Sequence, residues 1–167
     1  GRCGRPDVRD GMSEVRMTEY TKQDREFLAL AVVEARRGLA SGGIPIGSVL
    51  VRGDQIVGAG YNQRVQGSDP ILHGEMAALQ RAGRQRTYKD TVIYTTLSPC
   101  MMCSGTIVQF GIPRVVIGEN KNFGGNENFL RSRGVEVVIA SDHDCIAMME
   151  QFIAAQPRLW NEDIMVD

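Results

Sequence analysis

The chain has 167 residues, 43% of them hydrophobic and 23% charged, the make-up of one ordinary globular domain. Nineteen Lys and Arg against twenty Asp and Glu leave a formal net charge of -1, which disfavours a dedicated polynucleotide binder, because phosphate contacts demand a basic excess. A domain of this length buries roughly 70% of its unfolded surface, so any metal it holds need not be a structural staple.

Residues 1–11 are polar and patternless and precede Met12, which predicts a leader or disordered tail with an inert Cys3, followed by a single domain over 12–167. No basic stretch, apolar run and small-residue cleavage site opens the chain, so no signal peptide is expected. Cys3, Cys100, Cys103 and Cys145 do not make the disulfide framework of a small secreted protein; they point to a reducing, cytoplasmic compartment. Residues 91–113 carry no formal charge and match the length of a membrane span. Interior Ser, Thr, Pro and Gly residues and a change of period make them a buried strand, a turn and a buried helix instead.

Thr21 with Asp24 three residues later forms a capping-box pattern, and Leu28, Ala31, Val32, Ala35 and Leu39 follow at helical spacing, predicting a helix over 22–40. Ser41-Gly42-Gly43 stops it, and extended runs at 47–52 and 55–61 around Gly53-Asp54 predict a hairpin. Gly67, Ser68, Asp69 and Pro70 mark a loop, and the helix formers Met76 to Gln80 begin just beyond it, so His73, Gly74 and Glu75 fall at a helix N-terminus. A strand over 91–97 leads through Ser98-Pro99 into a helix over about 100–110, since proline suits the start of a helix. Cys100 and Cys103 share its first turn. A strand at 114–117, a Gly/Asn-rich loop at 118–128, a short helical turn, a strand at 135–140 and a helix capped by Ser141 with Asp144 follow. One sheet with helices on both faces accommodates this order.

One imidazole and two thiols thus come from two helix N-termini, in His73-Gly74-Glu75 and Pro99-Cys100-Met101-Met102-Cys103. Three such donors are one short of a closed tetrahedral zinc set, and the other soft residues, His143 and Cys145, are poor candidates for the fourth place. An open fourth position takes water, whose pKa zinc lowers to about 7; that arrangement is catalytic. Partial positive charge at helix N-termini favours the thiolates of Cys100 and Cys103. Glu75, two residues from His73, projects apart from the ligand but within reach of the water, the place of a general acid/base. H-x-E followed by P-C-x-x-C is the pattern of zinc nucleobase deaminases.

On these residues the chain resembles the cytidine deaminase superfamily, and within it the small fungal-type deaminases that act on free cytosine. The similarity runs from about Phe27 to Ile164. It includes Gly43-Ile44-Pro45-Ile46-Gly47, Leu72-His73-Gly74-Glu75, Tyr88-Lys89-Asp90-Thr91, Tyr94-Thr95-Thr96-Leu97-Ser98-Pro99-Cys100, Gly111-Ile112-Pro113-Arg114 and Trp160 through Ile164. The resemblance implies a three-layer α/β/α sandwich with a five-stranded mixed sheet, a homodimer, and one Zn²⁺ on His73, Cys100 and Cys103. Glu75 would carry a proton from water to the ring nitrogen and on to departing ammonia. The Gly74 backbone and the Asn62 side chain would hydrogen-bond the base, with Asp163 reaching in from the C-terminal segment. Phe123 and Trp160 would cover the ring, and Ile44 would lie against it. The implied enzyme is a zinc-dependent hydrolase converting a free nucleobase, cytosine foremost, to uracil and ammonia, with no nucleic-acid or membrane partner.

One residue departs from the pattern: Asn161 stands directly after Trp160, where the fungal group has an aromatic. A less apolar cover is expected, which keeps isocytosine, an azapyrimidine or triazine, or guanine as alternative substrates, since buried polar groups discriminate more strongly than apolar volume. A tRNA or single-stranded DNA deaminase needs a basic path for the backbone, and the local cluster Arg81, Arg84, Arg86 and Lys89 lies beyond the far end of the His73 helix. A non-catalytic zinc module needs a fourth protein ligand.

Overall fold

The computed structural model describes residues 19–167; the leader or tail expected at 1–11, Cys3 and Met12 lie outside the described residues. Helix α1 (Lys22–Ala40) starts at a complete capping box, with the Thr21 hydroxyl accepting from Asp24 N and the Asp24 carboxylate accepting from Thr21 N. Strands β1 (Gly47–Arg52) and β2 (Gln55–Tyr61) form the expected hairpin, followed by α2 (Gly74–Ala82), β3 (Thr91–Thr95), α3 (Met101–Phe110) and β4 (Arg114–Ile117). The chain finishes with α4 (Glu127–Ser132), β5 (Glu136–Ile139), α5 (His143–Ala155) and α6 (Pro157–Asp163).

Two details differ from the sequence reading. Asp142, not Ser141, caps α5: its carboxylate accepts from Cys145 N, while Ser141 takes a left-handed conformation at φ 49 that turns the chain into the cap. Helix α6 was not foreseen. Its sequence signal is Pro157 in the first turn, where a missing N–H costs nothing.

The sheet order is β2-β1-β3-β4-β5, with β1 antiparallel to both neighbours and β3, β4 and β5 parallel. Strand alternation splits the apolar residues cleanly between two faces. Leu50, Ile93, Val115, Ile117 and Val137 pack with Leu79 of α2, Ile107 of α3 and Leu130 of α4. Val49, Val51, Tyr94, Val116 and Val138 pack on the opposite face against Phe27, Leu28 and Ala31 of α1. A third cluster joins Ile44, Ile46 and Leu97 to Met149 and Phe152 of α5 and Trp160 of α6. The architecture is therefore the expected sheet flanked by helices on both faces.

The site follows from this layering. Helices α2 and α3 lie on one face of the sheet, and α3 starts beyond the C-terminal end of a parallel strand, the edge at which open α/β sheets bind ligands. Close seating of α2 requires Gly74: a Cβ there would lie 3.1 Å from the Ile46 carbonyl oxygen and 3.3 Å from Ser48 Oγ.

Candidate functional site

His73 is the N-cap of α2 and Cys100 the N-cap of α3, with nearly identical extended backbones, φ -67 and ψ 167 against φ -67 and ψ 174. The two helix starts converge. Cys100 Sγ lies 3.5 Å and Cys103 Sγ 3.7 Å from His73 Nδ1, and among the described residues these three form a group whose ligand atoms lie within 4.8 Å of one another. Zinc bonds of about 2.3 Å to sulfur and 2.0–2.1 Å to nitrogen in a tetrahedron place N and S about 3.6 Å apart. The donor set fits zinc in kind and in spacing, and it supplies three ligands. His143 is not among them; its side chain is 95% exposed at the start of α5, and Cys145 is buried beside Asp142.

The three donors share protons among themselves. The Cys103 thiol donates to Cys100, and this hydrogen bond, with another from His73, outweighs burial and lowers the Cys100 thiol to about 4. The same bond, together with burial, pushes Cys103 well above the ordinary thiol range. Burial alone would lower His73, but its hydrogen bond to Cys100 and the charges of Glu75, Asp163 and Cys100 raise it to about 9. An ion entering here displaces protons from His73 and Cys103.

Glu75, in the first turn of α2, is buried and lines the cavity in front of the three donors. Burial raises its carboxyl, against the Cys103 thiol, the His73 charge and the Thr95 hydroxyl, which favour the charged form. Thr95 Oγ1 donates to Glu75 Oε1 at 2.7 Å, and Ser48 Oγ lies 3.4 Å from the same oxygen. A carboxyl raised by burial and so placed can accept and return a proton.

The cavity has a volume of about 400 Å³. Its floor is His73, Glu75, Leu97, Ser98 and Cys100; Phe123, Trp160, Asp163, Ile164 and Met165 close it from the other side. Phe123 and Trp160 meet edge to face with ring centroids 6.2 Å apart. Asp163 is buried; its Oδ1 lies 3.4 Å from Asn62 Nδ2, 3.7 Å from His73 Nε2 and 3.9 Å from Arg64 Nε. Burial raises the Asp163 carboxyl, opposed by the charge of His73, the Asn62 hydrogen bond and the charge of Arg64.

Six sequence-named residues line this cavity: His73, Glu75, Cys100, Phe123, Trp160 and Asp163. Asn62 sits behind it, with Oδ1 accepting from Arg64 N and Nδ2 reaching Asp163. Gly74 lies against Ile46 and Ser48 at the start of α2. Ile44 is wholly buried in the cluster under Trp160, and Ile46, two residues on, is the one that lines the cavity. Asn161 does not line it; the roof is Phe123, Trp160, Ile164 and Met165 with Asp163 as its polar member, so Asn161 does not make the cover less apolar. Successive helical residues are about 100° apart, and the face of α6 that carries Trp160, Asp163 and Ile164 turns Asn161 away.

Several residues of the site had no sequence signal for the role they play. Ser48, Thr95 and Arg64 act across the fold, and Ser98 and Asn126 anchor the 118–128 loop through Ser98 Oγ to Glu127 at 2.8 Å and Asn126 Nδ2 to the Pro99 carbonyl at 3.0 Å. Each such pair needs knowledge of which segments meet.

Residues 21–119 match the family described as the cytidine and deoxycytidylate deaminase zinc-binding region. The cytosine deaminase of Candida albicans is 51% identical over 147 residues, covering 86% of this chain and 98% of that protein. A tRNA-specific adenosine deaminase of Streptococcus pyogenes is 38% identical over 106 residues, 61% of this chain and 67% of that one. Among solved structures, one from a study of A-to-I editing by tRNA wobble-position deaminases matches with TM-score 0.61 and 27% identity, covering 69% of this chain and 97% of that chain. A guanine deaminase from Nitrosomonas europaea matches with TM-score 0.69 over 83% of this chain and 87% of its own, at 18% identity, a likeness of fold alone.

Proposed function

The chain belongs to the cytidine and deoxycytidylate deaminase zinc-binding family, and from that premise we propose that it hydrolyses free cytosine to uracil and ammonia. The observation that carries the reading is Glu75, a buried carboxyl in front of three zinc donors, in a cavity roofed by Phe123 and Trp160. The 51% identity to a cytosine deaminase over nearly its whole length supports the substrate. His73, Cys100 and Cys103 would hold the zinc, which when bound would supply a Lewis acid able to activate water near neutral pH.

The chain's own groups do the rest. Glu75 takes a proton from the attacking water and delivers it to the ring nitrogen next to the carbon under attack; a second proton passes to the exocyclic amine, which leaves as ammonia. Water and cytosine in, uracil and ammonia out, the step needs no further reactant. The first N–H groups of α2, at Gly74, hydrogen-bond the ring's polar edge and Asp163 accepts from its amine, while Asn62, behind the cavity, holds Asp163 in place through Nδ2. Phe123 and Trp160 cover the ring faces and exclude water, while Ile44 holds Trp160 in place from beneath.

Two further readings accompany this. The chain forms a homodimer through α3: the helix Met101–Phe110 contains no charged residue, yet Met101 is 56% and Phe110 40% exposed, and an apolar helix of that kind belongs in an interface. The compartment is cytoplasmic, supported by the free thiols of Cys100, Cys103 and Cys145; no described helix is long and apolar enough to cross a membrane.

The test is ammonia release from purified zinc-loaded protein with cytosine, isocytosine, cytidine and guanine. Cytosine is expected to give the highest kcat/KM and cytidine a much lower one, because residues of α6 and the 118–128 loop confine the cavity to about 400 Å³. A higher kcat/KM for guanine or isocytosine would overturn the substrate, and silence with every base would overturn the reaction. Light scattering at one chain mass rather than two would overturn the dimer.

A further inference from the structure

We propose that Thr95, oriented by Ser48, is a positioning residue that holds one oxygen of Glu75 still so that the other is left to exchange protons; this rests on the deaminase reading above. Ser48 of β1 and Thr95 of β3 are direct cross-strand partners. By strand alternation they share the face of Leu50 and Ile93, the face that α2 covers. Both are wholly buried. Burying two hydroxyls on an otherwise apolar sheet face is costly unless they are used.

The geometry says how. Ser48 Oγ donates to Thr95 Oγ1 at 3.0 Å, and Thr95 Oγ1 donates to Glu75 Oε1 at 2.7 Å. The first bond turns the Thr95 proton toward the carboxylate, and such chains of hydroxyls polarise one another. Ser48 lies 3.4 Å from the same oxygen, so both hydroxyl contacts fall on Oε1 and Oε2 is free of them. Thr95 Oγ1 also lies 3.2 Å from the Leu97 carbonyl oxygen, which gives its proton a second acceptor when Glu75 no longer needs it. Glu75 stands in the first turn of α2, and the two strand hydroxyls fix its carboxylate from the sheet side. Misplacement of a reacting group by about 1 Å can cost 10²-fold in rate.

The test pairs Thr95→Val, which keeps shape and removes the hydroxyl, with Thr95→Ser, which keeps the hydroxyl, both measured for zinc content, kcat, KM and thermal unfolding. Thr95→Val is expected to lower kcat for cytosine about 10- to 100-fold with KM within about 3-fold and full zinc. Thr95→Ser restores kcat to within about 3-fold of the parent, and in a Glu75→Ala background Thr95→Val has no further effect on kcat. Equal loss in the Val and Ser variants, or the full loss persisting without Glu75, would overturn the proposal. Thermal unfolding gives a readout independent of turnover: Thr95→Val lowers the midpoint by about 3 °C in the parent and by less than half that without Glu75. Should the parent deaminate no base at all, the substrate reading falls, while this unfolding cycle still decides the coupling, and strictly additive shifts would sink it.

Discussion

The floor and the roof of the cavity are built by different means. The floor is secondary structure: two helix N-caps, His73 and Cys100, set by β1 and β3 beneath them, with Glu75, Ser48 and Thr95 all buried. The roof is a loop at 118–128 and the short helix α6, tied down by long-range polar contacts such as Asn62 to Asp163, 101 residues apart, and Arg64 to Glu162 at 3.0 Å. At its rim Met165 is 74% exposed. Donors in the floor need distances good to a few tenths of an ångström, which only a packed sheet supplies. Movement that admits substrate and releases product belongs to the roof, whose α6 is anchored by Trp160 in the third apolar cluster but ends at the exposed Met165. Floor changes should therefore act on kcat or on zinc, and roof changes on KM and on the choice of base.

The sharpest floor test is Glu75→Ala. It should retain one zinc per chain while kcat falls about 10²–10⁴-fold, the loss typical for a general acid/base; metal analysis beside steady-state kinetics measures both, and unchanged turnover would take Glu75 out of the mechanism. The donors themselves give a pH effect. His73 sits at about 9 and Cys103 well above the thiol range without metal, so two of three ligands must lose a proton on loading. Zinc affinity should rise as pH rises through the neutral range, by competition with a chromophoric chelator; a flat profile would show that the donors are already deprotonated.

In the roof, Asp163→Ala removes the acceptor facing the cavity and should lower kcat/KM for cytosine about 10- to 100-fold, as expected when a polar partner of the substrate is left unpaired. Arg64→Met keeps bulk but unties α6 from the loop after β2. Its effect should be smaller, about 3- to 10-fold in KM, with kcat and zinc little changed. An Arg64→Met loss confined to kcat would contradict the division between floor and roof.

The same division marks what could be read from the sequence. Caps, spacing and strand alternation are local, so α1, the hairpin, the His73 and Cys100 helix starts and the Glu75 position were all legible. Ser48 and Thr95 were not, because a buried hydroxyl looks like any strand serine or threonine until the register that makes them neighbours is known. Ile46 rather than Ile44 lines the cavity, because the chain makes a tight turn at Pro45, where Ile46 N donates to the Ile44 carbonyl at 2.8 Å. Asn161 misled for a related reason: without α6 in view, its direction relative to Trp160 was undetermined.

The smallest expected effect on catalysis comes from a buried charge that belongs to neither wall. Asp24 of α1 accepts from both guanidinium arms of Arg114 at 2.7 and 2.8 Å and from the Tyr94 hydroxyl at 2.9 Å, tying α1 to β3 and β4 on the face away from the cavity. Burial alone would raise its carboxyl, but Arg114, the Thr21 N–H and Tyr94 outweigh it and hold it at about 2, against an ordinary 3.8. A carboxyl with a depressed folded-state pKa contributes stability that is present in full above the unfolded value and disappears as pH falls through the folded one. Here that contribution is about 2 kcal/mol, lost between about pH 4 and pH 2. Asp24→Asn should therefore lower the unfolding midpoint at pH 7 by about 4–8 °C, with the gap to the parent closing as pH drops toward 2, while kcat, KM and zinc content at pH 7 stay within about 2-fold. Calorimetry across that range measures the first; a loss of turnover comparable to that of Thr95→Val would mean that the two faces of the sheet are coupled through β3, where Tyr94 and Thr95 are adjacent, and that the floor extends further into the fold than its hydrogen bonds to Glu75.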